Sequence, residues 1–281
     1  MTISPSELAV VTVVSGRHEH LRRQLHAVAV LDPAPLLHVI VGMGDPDIRG
    51  VVGACASGRT VVVDLPAAGK LPLSAARNRG VAEAAASGAT AVALLDVDCI
   101  PESALVGDYA SILTELGPEP GPVLVCGRVR YLPEGLREDD YTPAALERQG
   151  VDHPARVVPA TDRPVPGDPC LVWSLNLGMT VEDWNTVGGF DESYKGYGGE
   201  DTDFGQRLRR ADGGMWWTRG AGAFHQWHPV SRPPVEHVAD IVTNANLFYE
   251  RWGWYPMGGW LQEFERRGLA ELGSAGWRLL G

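Results

Sequence analysis

Positive charge is scarce in this sequence: 24 Lys and Arg stand against 35 Asp and Glu, a formal net charge of -11 over 281 residues. A chain so acidic lacks the basic footprint of a nucleic-acid or anionic-membrane binder. Cysteine is scarcer, with only Cys55, Cys99, Cys126 and Cys170, and no CxxC pair among them. That excludes a zinc ribbon and a small disulfide scaffold, and points to a reducing compartment, the cytoplasm. No apolar run approaches the roughly 20 residues that span a bilayer. Met1 to Glu7 has no basic flank before an apolar stretch, so neither a transmembrane segment nor a leader is expected. Repeats of fixed period and low-complexity tracts are also missing. What is present is 44% hydrophobic and 21% charged, enough apolar material for a buried core. The charge balance sets one condition. An acidic protein that binds a phosphorylated ligand needs local arginines, helix N-termini or a metal at that site.

The first hundred residues alternate strand and helix. Leu8 to Val14 is a β-branched apolar run ended by Ser15-Gly16, and Leu36 to Val41, Thr60 to Leu65 and Thr90 to Leu95 are further strands. His18 to Val30 carries Leu21, Leu25, Val28 and Ala29 at helical spacing, and Ser74 is expected to cap a helix to about Ala86. Short continuous apolar strands between helices predict an α/β fold, a mostly parallel sheet covered on both faces. Such sheets bind ligands beyond the carboxyl ends of their strands. That puts Ser15–Arg17 and Asp96–Asp98 on one rim. The second half is less regular. Seven prolines fall within 132 to 169, the pattern of a long functional loop. Cys170 to Leu177 is read as a strand, Val181 to Thr186 and Glu200 to Arg210 as helices, and Met215 to Thr218 and Ala221 to His225 as strands. Val235 to Arg251 is a surface helix. No linker separates two domains, so 1–281 is read as one, with halves at 8–100 and 170–228 and a helical segment at 235–281.

Four constellations could carry chemistry. In Asp96-Val97-Asp98, carboxylates two apart at a strand end can converge on one hard cation. A bare Asp-x-Asp is equally a solvated turn, and its delivery to the rim by Ala91 to Leu95 is what singles it out. Gly198-Gly199-Glu200-Asp201-Thr202-Asp203 starts a helix, where the dipole favours ionised acids, and Asp201 behind two glycines could serve as a general base. Three acids at a helix start are otherwise ordinary capping. His225-Gln226-Trp227-His228 offers two imidazoles, which need a third ligand to hold a metal. Asp98, 127 positions earlier, is a candidate that spacing alone cannot place. Arg17 and Arg77-Asn78-Arg79 supply guanidinium groups suited to phosphate oxygens, with Arg79 read as ordinary surface. Aromatics are dense from Trp173 to Trp227 and suit sugar rings as well as core.

In this order the pieces resemble GT-A-fold (Rossmann-like) glycosyltransferases of the family-2 type, especially the β-1,4-galactosyltransferases and bacterial chondroitin-polymerase-like enzymes. Gly16 to Leu21 is similar to the nucleotide-binding segment after the first strand, and Ala76 to Gly80 to the family's Asn-x-Gly helix start. Leu95 to Pro101 resembles the metal-binding Asp-Val-Asp followed by Pro, and Leu177 to Phe204 the galactosyltransferase C-terminal segment. The resemblance covers roughly 8 to 228. It implies an inverting, metal-dependent transfer of a hexose or N-acetylhexosamine from a nucleotide sugar, UDP-linked, to the hydroxyl of a saccharide or small-molecule acceptor. It implies Mn2+ or Mg2+ on Asp98 and His225, with Asp96 contacting ribose, sugar or a metal-bound water. Asp201 would be the base, Glu200 would position hydroxyls, Tyr197 would pack near both sugars, and Arg17, Arg77 and Asn78 would bind the donor. The galactosyltransferases have Met-x-x-His where this chain has His225-x-x-His228, so His228 is the second choice of ligand. The alanine, glycine, valine and arginine bias is that of a GC-rich bacterial genome.

Two other classes compete. A sugar-phosphate nucleotidyltransferase shares the sheet type but wants a Gly-rich basic loop after the first strand, where this chain has only Ser15-Gly16-Arg17. A non-enzymatic carbohydrate- or metal-binding module accounts for acids and tryptophans but not for their order. The 132–169 segment is expected to lie over the rim as a closing loop, with Asp139, Asp140, Asp152 and Tyr141 available to an acceptor.

Overall fold

Leu8–Val14 (β1) is buried at every position, which a strand achieves only when both sheet faces are covered. The computed structural model describes residues 2–56 and 58–280. The strands that follow are His38–Met43 (β2), Thr60–Leu65 (β3), Ala91–Leu95 (β4), Cys99–Pro101 (β5), Val123–Cys126 (β6), Val129–Tyr131 (β7), Val151–Asp152 (β8), Val165–Gly167 (β9), Asn176–Thr180 (β10), Gly214–Trp217 (β11), Ala223–His225 (β12), Ala270–Gly273 (β13) and Gly276–Leu279 (β14). The α-helices are His18–Val28 (α1), Ile48–Cys55 (α2), Leu73–Ala86 (α3), Leu105–Glu115 (α4), Pro143–Gln149 (α5), Val181–Val187 (α6), Glu200–Arg210 (α7), Val238–Trp252 (α8) and Gly258–Arg266 (α9).

The main sheet has the order β3-β2-β1-β4-β10-β6-β11-β9. Strands β1 to β4 are parallel to one another, β6 and β11 are parallel, and β10 is antiparallel to both β4 and β6. Side chains alternate along β1: Ala9, Val11 and Val13 join the core with α3, whereas Leu8 and Val10 pack on the α4 side and Val14 on α1 and α2. Gly80 lets α3 lie close on β1, because a Cβ there would stand 2.3 Å from Val11 Cγ1.

A second sheet, β5-β12-β7-β8, was not foreseen: β12 falls within the expected strand Ala221 to His225, but its partners β5, β7 and β8 are only two or three residues long. It fixes the site. β12 pairs antiparallel with β5 so that His225 lies opposite Cys99, and the Gln226 N–H donates to the Asp98 carbonyl at 2.7 Å.

Several expected elements differ. Ser74 does not cap α3: the helix begins at Leu73 with Pro72 as N-cap, and Ser74 is buried inside its first turn. Cys170 to Leu177 is not one strand. Asp168 Oδ1 accepts from the Cys170 N–H and turns Pro169–Leu171 into a 3-10 helix, so β10 begins only at Asn176. The 132–169 segment contains α5, β8 and β9, and the C-terminal part adds the β13–β14 hairpin to its helices. Among the described residues, no helix is long and apolar enough to cross a membrane.

Candidate active site

The carboxyl ends of β1 and β4 and the start of β10 form one rim. The Asp96 N–H donates to Leu175 O and the Cys99 N–H to Asp96 O, closing the Asp96–Asp98 turn. Beneath it lies a buried chain of side chains. The Gln24 amide donates to Asp96 O at 2.7 Å and Cys99 O at 2.9 Å, and its oxygen accepts from the Thr12 hydroxyl. His38 Nε2 is 3.0 Å from that same hydroxyl. Because the hydroxyl proton is already given to Gln24, His38 Nε2 must be the donor. Burial lowers the His38 pKa to about 3, so the ring stays neutral. Gln24 sits between Leu21 and Leu25 on the buried face of α1. That polar residue on an apolar stripe is a signal the sequence carried and that the reading missed.

Asp98 gathers basic groups that are far apart in the chain. Arg17 Nη1 is 3.0 Å from Oδ2, His228 Nε2 is 3.4 Å from Oδ2, and His225 Nε2 is 3.5 Å from Oδ1. Burial would raise the Asp98 pKa, yet the His228 hydrogen bond and the charges of His225 and Arg17 hold it down at about 2. Burial lowers the His225 pKa against the pull of Asp98, which favours the neutral ring that ligates metals. Ligand atoms of Asp98, His225 and His228 all lie within 4.8 Å of one another. One carboxylate and two imidazoles suit a first-row divalent ion, so the residues present fit the implied metal. His18, Asp45 and Asp47 make a second such group, but Asp45 already accepts from His18 and from the N–H groups of Gly16 and Asp47. An open cleft of ≈ 660 Å³ adjoins Asp98, lined by Arg17, His18, Glu19, His20, His228 and Pro229.

The acids of α7 meet the same rim through Arg77. Its buried guanidinium stands 3.5 Å from Asp96 Oδ1 and 3.5 Å from Glu200 Oε1, tying the Asp-Val-Asp turn to the start of α7. Gly198 and Gly199 have φ values of 95° and 94°, a left-handed turn that side chains disfavour and that leads directly into the helix. Burial and the neighbouring Asp201 raise the Glu200 pKa to about 7, against the attraction of Arg77. Burial likewise raises Asp96. Asp201 Oδ2 accepts from the Ser174 N–H at 3.0 Å, while its Oδ1 is buried and without a partner. Tyr197 stacks on His237 and Trp260. Its phenol is pushed up to about 12 by burial and by the surrounding Glu200, Asp201, Asp96 and Asp98.

Of the expected site residues, Asn78 is not brought to the cluster. Its Oδ1 accepts from the Phe190 N–H, and its amide donates to Phe190 O and Glu192 Oε1, so it clasps the loop before α7. Arg79 pairs with Glu83 on the outer face of α3. The side chains expected to meet an acceptor are engaged elsewhere: Asp152 with Arg128, Tyr141 beneath Arg23, and Asp140 with the Arg137 N–H. The loop instead brings His153 to the site. His225, Tyr131, His153 and Trp173 follow one another at centroid distances of 4.6, 5.2 and 5.1 Å. His153 lies in an aperiodic, proline-rich stretch where no pattern marks it.

Against known proteins, residues 153–238 match the family described as the N-terminal domain of galactosyltransferase. Over 79 residues the chain is 32% identical to validoxylamine A glucosyltransferase of Streptomyces hygroscopicus subsp. jinggangensis (strain 5008), 28% of this chain and 18% of that protein. Its fold is similar to that of GalNAc-T7, solved with UDP, GalNAc and Mn2+, with a TM-score of 0.54, 14% identity, and coverage of 92% of this chain and 56% of the other. It is also similar to S. aureus TarS 1-349, with a TM-score of 0.55, 13% identity, and coverage of 87% and 64%. The chain thus spans less than a fifth of its curated relative and under two thirds of these solved structures. The fold is that of the GT-A glycosyltransferases.

Proposed function

We propose that this chain is an inverting glycosyltransferase that moves a hexose or N-acetylhexosamine from a UDP-linked sugar to an acceptor hydroxyl. One observation carries the reading: ligand atoms of Asp98, His225 and His228 converge within 4.8 Å, and Asp201, close to Arg77 and fixed by the Ser174 N–H, keeps a buried Oδ1 without a partner. The relatives support it, one being a glucosyltransferase and another having been solved with UDP, GalNAc and Mn2+. Asp98 and His225 would hold a divalent ion, Mn2+ or Mg2+, with His228 as second choice. When bound, it supplies positive charge to the leaving diphosphate, the requirement set by the net charge of -11.

The chain's own groups account for the rest. Arg17, beside Asp98, is placed to meet phosphate oxygens. Arg77 holds Asp96 and Glu200 in register as a positioning residue. Asp201 Oδ1 accepts the proton of the acceptor hydroxyl as its oxygen attacks the anomeric carbon, and the Ser174 N–H keeps the other carboxylate oxygen fixed. Glu200, whose carboxyl holds its proton up to about pH 7, can donate to a sugar hydroxyl in its protonated form. Attack from the side opposite the leaving diphosphate gives inversion. The four free cysteines fit our assignment to the cytoplasm.

The test is which phosphate product a nucleotide sugar yields, with and without Mn2+. Release of nucleoside diphosphate that depends on Mn2+ and acceptor is the expected result. Release of pyrophosphate from UTP and a sugar 1-phosphate, supplied in a parallel assay, would make the protein a nucleotidyltransferase, and release of neither product, with sugar binding retained, a carbohydrate-binding module.

A further inference from the structure

Arg156 has no part in the reading above, and its surroundings are unusual. The residue is only 8% exposed, and none of its three guanidinium nitrogens has a hydrogen-bond partner. The guanidinium carbon stands 5.1 Å from the ring of Trp173 and 5.1 Å from that of Trp217. Its close polar neighbour is Cys126, at most a weak sulfur acceptor, whose thiol pKa is raised by burial against the pull of Arg156, so no counter-charge comes from there. A desolvated ion without a partner is strongly disfavoured, and two cation–π contacts offset only part of that cost. A cation held in this way is built to meet an anion.

The position says which anion. Cys126 and Trp217 are the last residues of β6 and β11, so Arg156 belongs to the rim, on the half away from β1 and β4. The diphosphate half already has Arg17 and the Asp98 cluster. Between the halves stands Trp173, directly before Ser174, whose N–H fixes the proposed base Asp201. We propose that Arg156 is the anion-recognition residue of the acceptor subsite, so that the acceptor is a sugar-like molecule bearing a carboxylate or phosphate. This rests on the glycosyltransferase reading. Trp173 lies against the guanidinium and His153 against Trp173, so an anion reaches Arg156 by displacing an indole, which makes tryptophan emission a direct reporter.

The experiment uses the full chain with UDP and Mn2+, titrated with glucuronate, glucose 6-phosphate and, as the neutral control, glucose at matched ionic strength. A saturable change in emission is expected for at least one charged sugar, at least tenfold tighter than for glucose, and the responding arm tells carboxylate from phosphate. Arg156→Met should abolish that response, leave UDP–Mn2+ affinity within about twofold, and raise Tm, because an uncompensated buried charge is replaced by apolar volume. Arg156→Lys keeps charge but loses the fork, and should weaken the response at least fivefold. It decides the matter if Arg156→Met does not fold. Equal responses to charged and neutral sugars, or a charged-sugar response that survives Arg156→Met, would overturn the proposal. So would loss of UDP–Mn2+ binding in that variant alone, since Arg156 would then serve the donor. Failure of the wild type to bind UDP with Mn2+ would instead sink the glycosyltransferase reading, by a measurement separate from the charged-sugar arm.

Discussion

Asp98 and Asp201 divide binding from chemistry. Asp98→Ala leaves Arg17, His225 and His228 around a missing charge, so metal-dependent UDP affinity should fall by at least a hundredfold by calorimetry. Affinity within a few-fold of wild type would make the Asp-Val-Asp turn a solvated one. In Asp201→Asn the amide oxygen can still accept from Ser174 N–H, but it cannot take a proton. Turnover should drop by roughly 10²–10⁴ with donor affinity kept; near-normal turnover would remove Asp201 from the base role. Glu200 gives a pH prediction with a definite sign. Its carboxyl is raised from 4.5 to about 7 in the fold, chiefly by burial. The folded state therefore holds a proton that the unfolded chain releases earlier, and stability falls as pH rises from about 4.5 to about 7. Glu200→Gln should flatten that slope in Tm measured against pH, and an unchanged slope would assign the loss to other groups.

Elements decided what the sequence could disclose. Where a run was long and apolar, as in β1 and β4, or strongly periodic, as in α7, the bounds were readable within a residue or two, because burial of a whole face dictates the pattern. Of the second sheet only β12 was readable, inside the expected strand Ala221 to His225; β5, β7 and β8 were not. Three residues cannot show a period, and the juxtaposition of His225 with Asp98 follows from their pairing alone. The acids and histidines of the site were visible as chemistry, whereas Gln24, His153 and Arg156 act through partners that only the fold supplies. Asn78 shows the opposite case: a motif position whose amide the fold turns to its own backbone. The clamp from α1 is testable. Gln24→Leu leaves the carbonyls of Asp96 and Cys99 without their buried donor and should cost about 2–4 kcal/mol in urea unfolding. UDP–Mn2+ affinity should fall with it, while Gln24→Glu, whose ionised form cannot donate to either carbonyl, should do no better. A Leu variant with normal affinity would release the turn from dependence on α1.

At the scale of the whole molecule, the loop over the rim is tied down unevenly. Glu138 pairs with Arg23, Glu147 with Arg130, and Asp152 with Arg128, which anchors its first part to α1 and β7. Beyond Asp152 the segment reaches β9 with few such ties, one being Arg219 Nε donating to Pro159 O. Hydrogen exchange should find 153–168 slowed on addition of nucleotide sugar and Mn2+ and 138–152 slow throughout; equal behaviour of the two parts would dismiss closure over a bound donor. The order of the main sheet bears on how the chain is made. β10 lies between β4 and β6 yet is synthesised after both. A ribosome adding roughly 5–20 residues per second needs several seconds to pass from Cys126 to Thr180. During that interval β4 and β6 each present an unpaired, apolar edge, the kind of surface that recruits other chains. Sealing that seam is left to a five-residue strand, Asn-Leu-Gly-Met-Thr, so expression yield should respond more sharply to substitutions in β10 than in the outer β9.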